Sequence, residues 1–218
     1  MYHIDKKLIF THPHKCGGTS IEDSLGFLIL REQYTSITPI KHASLEEHFK
    51  ILTGKGLDTN QFFKFSIIRN PWDRAVSFYN HCKYKAHSSF VLQGKENELP
   101  RYVEDARQMT FKEYVLTNYK RTFNSDRNTK PYMLIQDNFC LDYVIKLENF
   151  KADISNINDK LGIDLSAGLP HLNNADKFLD RKHYSEYYDE ETIDFIGNLF
   201  EWDIKTFDYK FESEGTLI

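Results

Sequence analysis

The stretch "KKLIFTHPHKCGGTSIED", residues 6–23, contains an apolar run, a glycine-rich loop and the start of a helical pattern. Residues 6–12 have the length and composition of a strand. From residue 19 to about residue 30, apolar side chains recur at the spacing of one helix face. The order strand, loop, helix predicts a β-loop-α unit.

The same order appears twice more along the chain. "FFKFSIIRNPWDRAVSFYN", residues 62–80, predicts a strand followed by a helix that begins at Pro71, with Asn70 as its N-cap. "DYVIKLEN", residues 142–149, predicts a third strand, followed by a helix that stops at Gly162. Alternating strands and helices predict an α/β fold with a central parallel sheet covered by helices on both faces.

The remaining segments are less regular. We expect a short helix after "KHAS" within residues 31–61, a helix over residues 110–120 and an amphipathic helix near residues 189–202. Residues 85–108 are polar and poorly periodic, which predicts a surface insertion. The length of 218 residues with 40% hydrophobic residues favours one domain over residues 1–218.

Composition excludes several classes of protein. No apolar run has the length of a membrane span, and no signal peptide is recognisable, so we expect a soluble, cytoplasmic protein. The formal net charge of −4 argues against a general nucleic-acid binder. The three cysteines are irregularly spaced, which predicts free thiols. The oligomeric state is left open.

The loop after the first strand has the composition of an anion site. Gly17 and Gly18 allow backbone N–H groups to approach a ligand, and the helix that follows directs its positive dipole end at the same point. Thr19 and Ser20 add hydroxyl donors, and Lys15 adds a full charge. The alternative is a simple Gly-Gly turn with a hydroxyl cap.

A second anion-binding corner is predicted at the next strand end. Arg69 follows that strand and Ser77 lies about two turns into its helix, so the two corners together would suit a ligand with two separated phosphates. Lys15 precedes the glycines, whereas a nucleoside triphosphate loop places lysine after them. No Asp follows an apolar strand as a magnesium ligand would, so we expect no metal requirement.

These two motifs, in this order, resemble those of the sulfotransferase superfamily. The similarity is to the carbohydrate branch that includes heparan sulfate 2-O-sulfotransferase, and "IKLENF", "LPHLNNADKF" and "YYDEETIDFIGNLFEWDIKTFDYKF" resemble that branch as well. The resemblance implies a P-loop-like three-layer fold. It also implies transfer of a sulfuryl group from 3′-phosphoadenosine 5′-phosphosulfate to an acceptor hydroxyl or amine, with adenosine 3′,5′-bisphosphate as the product.

The resemblance also implies residue roles. The 5′-phosphosulfate would be held by the loop and first helical turn, namely Lys15, Cys16, Gly17, Gly18, Thr19 and Ser20. Arg69 and Ser77 would hold the 3′-phosphate, and a later loop would contribute Asn173 and Lys177. Lys15 is the predicted catalytic stabiliser, because it can reach the oxygen on which negative charge builds as the bond to the sulfuryl group breaks.

An acceptor hydroxyl needs a base, and the resemblance favours His42 in "PIKHASLEEHF", with His14 as the alternative. A metal site formed by His12, His14 and Cys16 is disfavoured because no second cluster matches it. Cys16, beside a lysine and a helix N-terminus, is expected to be a reactive thiol. The expected acceptor is a small molecule or carbohydrate. The alternative functions are a phosphotransferase and a non-catalytic nucleotide-binding module.

Overall fold

The computed structural model describes residues 1–29, 42–86, 92–94, 98–119, 129–162, 164–165 and 182–213. The chain divides into two compact units. The first contains Met1–Arg69 and Thr129–Asp180, and the second contains Asn70–Asn128 and Arg181–Ile218. That residues 1–218 form one domain stays a prediction.

The strands in chain order are β1 (Tyr2–His3), β2 (Leu8–Thr11), β3 (Phe63–Ile68), β4 (Leu134–Ile135), β5 (Asn138–Phe139) and β6 (Tyr143–Lys146). The helices are α1 (Gly18–Ile29), α2 (Leu45–Gly54), α3 (Pro71–Asn80), α4 (Arg101–Gln108), α5 (Phe111–Tyr114), α6 (Phe150–Leu161), α7 (Glu190–Leu199) and α8 (Glu201–Phe207). Two π-helical segments follow α3 and α5, His81–Ala86 and Val115–Tyr119.

The first unit contains a four-stranded sheet in the order β1-β2-β3-β6. Strands β2, β3 and β6 are parallel, whereas β1 is antiparallel to β2. Thr11 pairs with Ser66, and Ile68 pairs with Lys146, so the carboxyl ends of the three parallel strands meet at one edge. The loop of residues 12–17 begins at this edge.

Both faces of the sheet are buried, which explains why β2 is apolar at successive positions. Leu8, Phe10 and Phe65 pack in one core cluster with α1 and α6, whose contributing side chains are Ile21, Leu25, Phe150, Ile154 and Ile157. On the opposite face Ile9 packs with Leu45 and Leu52 of α2. The predicted α/β fold, with a largely parallel central sheet flanked by helices, is confirmed.

In the second unit, α3 begins as the sequence predicts. Pro71 is its first residue, and the Asn70 side chain accepts a hydrogen bond from the Trp72 N–H at 3.0 Å. The Asn70 amide also donates to the Lys210 carbonyl at 3.0 Å. Arg74 is fully buried and lies 5.4 Å from the Phe200 ring centroid, so this arginine is part of the unit's interior.

Two expectations were wrong in detail. Residues 101–108, predicted to lie in an irregular insertion, form α4, in which Val103 and Ala106 are the buried side chains. The helix predicted near residues 189–202 ends at Leu199, and α8 then begins at Glu201. Within the described ranges, no helix combines the length and the apolar character required to cross a bilayer.

Candidate active site

The loop between β2 and α1 has an alternating backbone conformation. Lys15 has φ 65° and Gly17 has φ 80°, both in the left-handed region, and α1 begins at Gly18. Alternation of left-handed and right-handed residues makes anion-binding concavities out of successive backbone N–H groups. The loop geometry therefore fits a phosphate or sulfate group at the N-terminus of α1.

The two glycines also lie close to other side chains of the protein. A Cβ at Gly18 would lie 2.1 Å from Cγ of His12, and a Cβ at Gly17 would lie 2.9 Å from Cδ1 of Leu147. The sequence interpretation gave these glycines the role of admitting a ligand. The structure adds that Gly18 makes room for the His12 ring.

His12 is held on several sides. It is 3% exposed, and its Nε2 lies 3.0 Å from a carboxylate oxygen of Glu22 on α1. Its ring stacks on that of Phe10, with ring centroids 5.5 Å apart. These contacts fix the start of the loop against α1.

His42 packs against this loop, although it is 30 residues from His12 in the chain. Its Nδ1 donates to the His12 carbonyl at 3.1 Å, and its ring centroid is 3.6 Å from that of His14. Two residues later, Ser44 caps α2 in a reciprocal pair with Glu47, which fixes where that helix begins. The predicted base and the predicted anion loop are thus adjacent within the first unit.

Arg69 lies directly after β3 and reaches the same loop. Its Nη1 donates to the Lys15 carbonyl at 3.4 Å. The loop after β2 and the carboxyl end of β3 therefore meet at the edge of the sheet, as expected for parallel neighbouring strands.

The chain matches the sequence model of the Sulfotransferase family over residues 1–210. It belongs to this family. No curated protein and no solved structure matches the chain. Family membership makes this protein an enzyme that transfers a sulfuryl group, and it confirms the resemblance at the level of the superfamily.

The two predicted catalytic residues of this sulfotransferase have unusual backbone conformations. Lys15 and His42 both have φ 65°. Non-glycine residues in the left-handed region carry strain, and such strain concentrates at functional sites. Among the described residues, Lys7, Gln136, Asp137 and Asp208 also have positive φ, so this feature accompanies the two predicted positions without singling them out.

The other predicted site residues of the sulfotransferase lie on α1, on α3 or outside the described residues. Thr19 is exposed and Ser20 half-buried in the first turn of α1. Ser77 is half-buried on α3, in the second unit. Asn173 and Lys177 lie outside the described residues.

Cys16 does not match its expected reactivity. Its side chain is fully buried in the core cluster, with Sγ 3.7 Å from the His14 carbonyl. A thiol with no exposed surface does not react readily with alkylating reagents, so that expectation was wrong. Any ligand contact by Cys16 falls to its backbone N–H.

Sequence reasoning missed the Glu22 contact with His12 and the stacking of His14 on His42. Glu22 could have been found from its position, because it lies four residues after Gly18, about one turn into the helix that packs on the loop. The ring stacking left no signal, since residue 42 approaches the loop through the tertiary fold. In the described part of the chain, no group of three or more His, Cys, Asp or Glu side chains is arranged to hold a metal ion.

Proposed function

We propose that this sulfotransferase uses 3′-phosphoadenosine 5′-phosphosulfate as donor and a carbohydrate hydroxyl as acceptor. The observation that carries the proposal is the placement of His42, whose Nδ1 donates to the carbonyl of His12 in the anion loop. A base and an anion site are both needed at one point for transfer to a hydroxyl.

The residues proposed to hold the donor fit an anionic ligand. The left-handed conformations of Lys15 and Gly17 and the N-terminus of α1 favour an anion by geometry and by dipole. When bound, the donor supplies a sulfuryl group that is activated by its bond to a phosphate. The proposed binding residues are Lys15, Cys16 through its N–H, Gly17, Gly18, Thr19, Ser20, Arg69, Ser77, Asn173 and Lys177.

Lys15 is proposed to stabilise developing charge. Its ammonium group is on the loop that holds the anion, and negative charge increases on the leaving phosphate oxygen as transfer proceeds. A cation placed there stabilises the transition state more than the ground state, and so it raises kcat. Arg69 supports this placement because its guanidinium donates to the Lys15 carbonyl.

His42 is proposed to accept the proton of the acceptor hydroxyl. A carbonyl oxygen can only accept a hydrogen bond, so the hydrogen between His42 and the His12 carbonyl belongs to Nδ1. In the neutral ring Nε2 then carries the lone pair. Nε2 would take the proton of the acceptor hydroxyl, while the donor, when bound, would supply the sulfuryl group to that oxygen and leave as adenosine 3′,5′-bisphosphate.

Binding of adenosine 3′,5′-bisphosphate tests the donor site. We expect calorimetry to show binding that does not require magnesium, with ATP binding more weakly. Arg69→Ala should weaken it by roughly tenfold or more, the loss expected for a charge-assisted contact. Arg101→Ala removes an equal charge from an arginine that is 84% exposed, and it should leave the affinity unchanged. A preference for magnesium-ATP would instead indicate a phosphotransferase.

Transfer of radiolabelled sulfate from the donor to a panel of oligosaccharides tests the base and the acceptor. His42→Ala should lower kcat by about a hundredfold or more, the usual contribution of general base catalysis. His3→Ala, a change of the same type on β1, serves as the control. Wild-type activity retained by His42→Ala would remove His42 from the mechanism, and binding without any transfer would indicate a non-catalytic module.

A further inference from the structure

Three imidazole rings converge where the loop and residue 42 meet. The ring centroids of His14 and His42 are 3.6 Å apart, with an angle of 33° between the ring planes. The His12 ring stands more nearly edge-on to His42, at 4.4 Å and 68°. The proposed base therefore packs against one histidine ring and lies at a steep angle to another.

The His12 ring has a fixed role in this group. It is buried against Gly18, and its Nε2 faces the Glu22 carboxylate at 3.0 Å. Its carbonyl holds Nδ1 of His42. His12 therefore fixes Nδ1 of His42 through its backbone carbonyl. The Glu22 carboxylate faces the His12 ring.

His14 differs because it stacks on His42 and is only half-buried. Two imidazolium rings at this separation repel each other, so protonation of one ring disfavours protonation of the other. Lys15 follows His14 in the chain and adds a further positive charge on the same loop. Each of these charges disfavours protonation of His42 before the acceptor is bound.

We propose that His14 is a positioning residue for the transfer reaction, which holds the His42 ring by stacking and keeps it in the neutral form. This inference rests on the proposed function of His42 as base. It assigns to His14 no contact with either substrate. In this proposal His14 takes up the first added proton as the pH falls, so that Nε2 of His42 keeps its lone pair for the hydroxyl proton.

Two substitutions at His14 separate stacking from charge. His14→Phe keeps an aromatic ring but cannot take a proton. We expect it to retain kcat within about threefold at pH 8, with the acid limb of its kcat/KM profile moved to higher pH. His14→Ala removes the ring and should lower kcat by about tenfold or more, with bisphosphate affinity unchanged. An unchanged acid limb in His14→Phe would overturn the proposal.

NMR of the protein labelled with ¹⁵N-histidine gives a readout that does not depend on activity. Long-range ¹H–¹⁵N spectra, assigned with His42→Asn and His14→Phe, should show His42 with its hydrogen on Nδ1. In His14→Phe, His42 should become protonated at higher pH than in the wild type. A hydrogen on Nε2 of His42, or identical titration of His42 in both proteins, would refute the proposed effect of His14 on His42. If the His42 titration shifts as expected but the wild type transfers no sulfate, the proposed function is wrong, whereas the effect of His14 on His42 is confirmed.

Discussion

Gly18→Ala is a substitution whose effect follows from one contact. Gly18 is the first residue of α1 and has no positive φ, so alanine suits its backbone. The only obstacle to alanine is steric overlap with a neighbouring side chain. The new Cβ would lie 2.1 Å from Cγ, 2.3 Å from Nδ1 and 2.6 Å from Cβ of His12, whereas ordinary contact begins at 3.4 Å.

The His12 ring would have to retreat by about 1.3 Å, and it is not free to do so. Its Nε2 is 3.0 Å from Glu22, and its ring stacks on Phe10. Overpacking costs about 1–3 kcal/mol, and the upper end applies because a displaced ring would also lose its contacts with Glu22 and Phe10. We therefore expect a loss of about 3 kcal/mol, which lowers Tm by about 6–12 °C for a chain of this size.

Thermal and urea unfolding measure this loss. Gly54→Ala, in the last turn of α2, is the matched control, because no atom lies within 4 Å of its added Cβ. It should stabilise the protein by up to about 1 kcal/mol. His12→Gly removes all three clashing atoms, so Gly18→Ala should cost little in that background. A Gly18→Ala protein as stable as Gly54→Ala would show that His12 does not pack on Gly18.

His48, buried on α2 with Nδ1 donating to the Ser44 carbonyl, has its pKa lowered by burial to about 4. The folded state therefore favours neutral His48, and its contribution, present above about pH 6.5, should fall by about 2 kcal/mol by pH 5. His48→Gln should flatten the dependence of urea-unfolding free energy on pH by that amount, and parallel curves would contradict the assignment. Gly17→Ala and Gly56→Ala both place alanine at positive φ, 80° and 76°, but only the first also meets Leu147. In urea unfolding Gly17→Ala should cost roughly 1 kcal/mol more than Gly56→Ala, and equal losses would refute the Leu147 contact.

Local signals predicted elements in both units. The β-loop-α order at residues 6–23 and the cap and proline at Asn70 and Pro71 depend on interactions between neighbours in the chain. Gly162, predicted to end a helix, has φ 61° and caps α6. Such features can be read from sequence because the physical partner is a few residues away.

The contacts that assemble the candidate site depend on long-range packing instead. His12 and Glu22 both occur in the quoted motif, but only the packing of α1 on the loop brings them to 3.0 Å. Helix α4 was missed for a related reason. Its buried face consists of Val103 and Ala106, and such a short apolar face leaves little periodicity to detect.

His12 links the packing of the loop to the proposed base. Its side chain is fixed by packing on Gly18 and by Glu22, and its carbonyl determines which nitrogen of His42 bears hydrogen. A change that displaces the His12 ring would therefore affect both stability and the proposed base. Gly18→Ala should accordingly lower kcat by more than the fraction of unfolded protein explains, whereas Gly54→Ala should leave kcat unchanged. A normal kcat in folded Gly18→Ala protein would show that the orientation of His42 does not depend on the packing of His12 on Gly18.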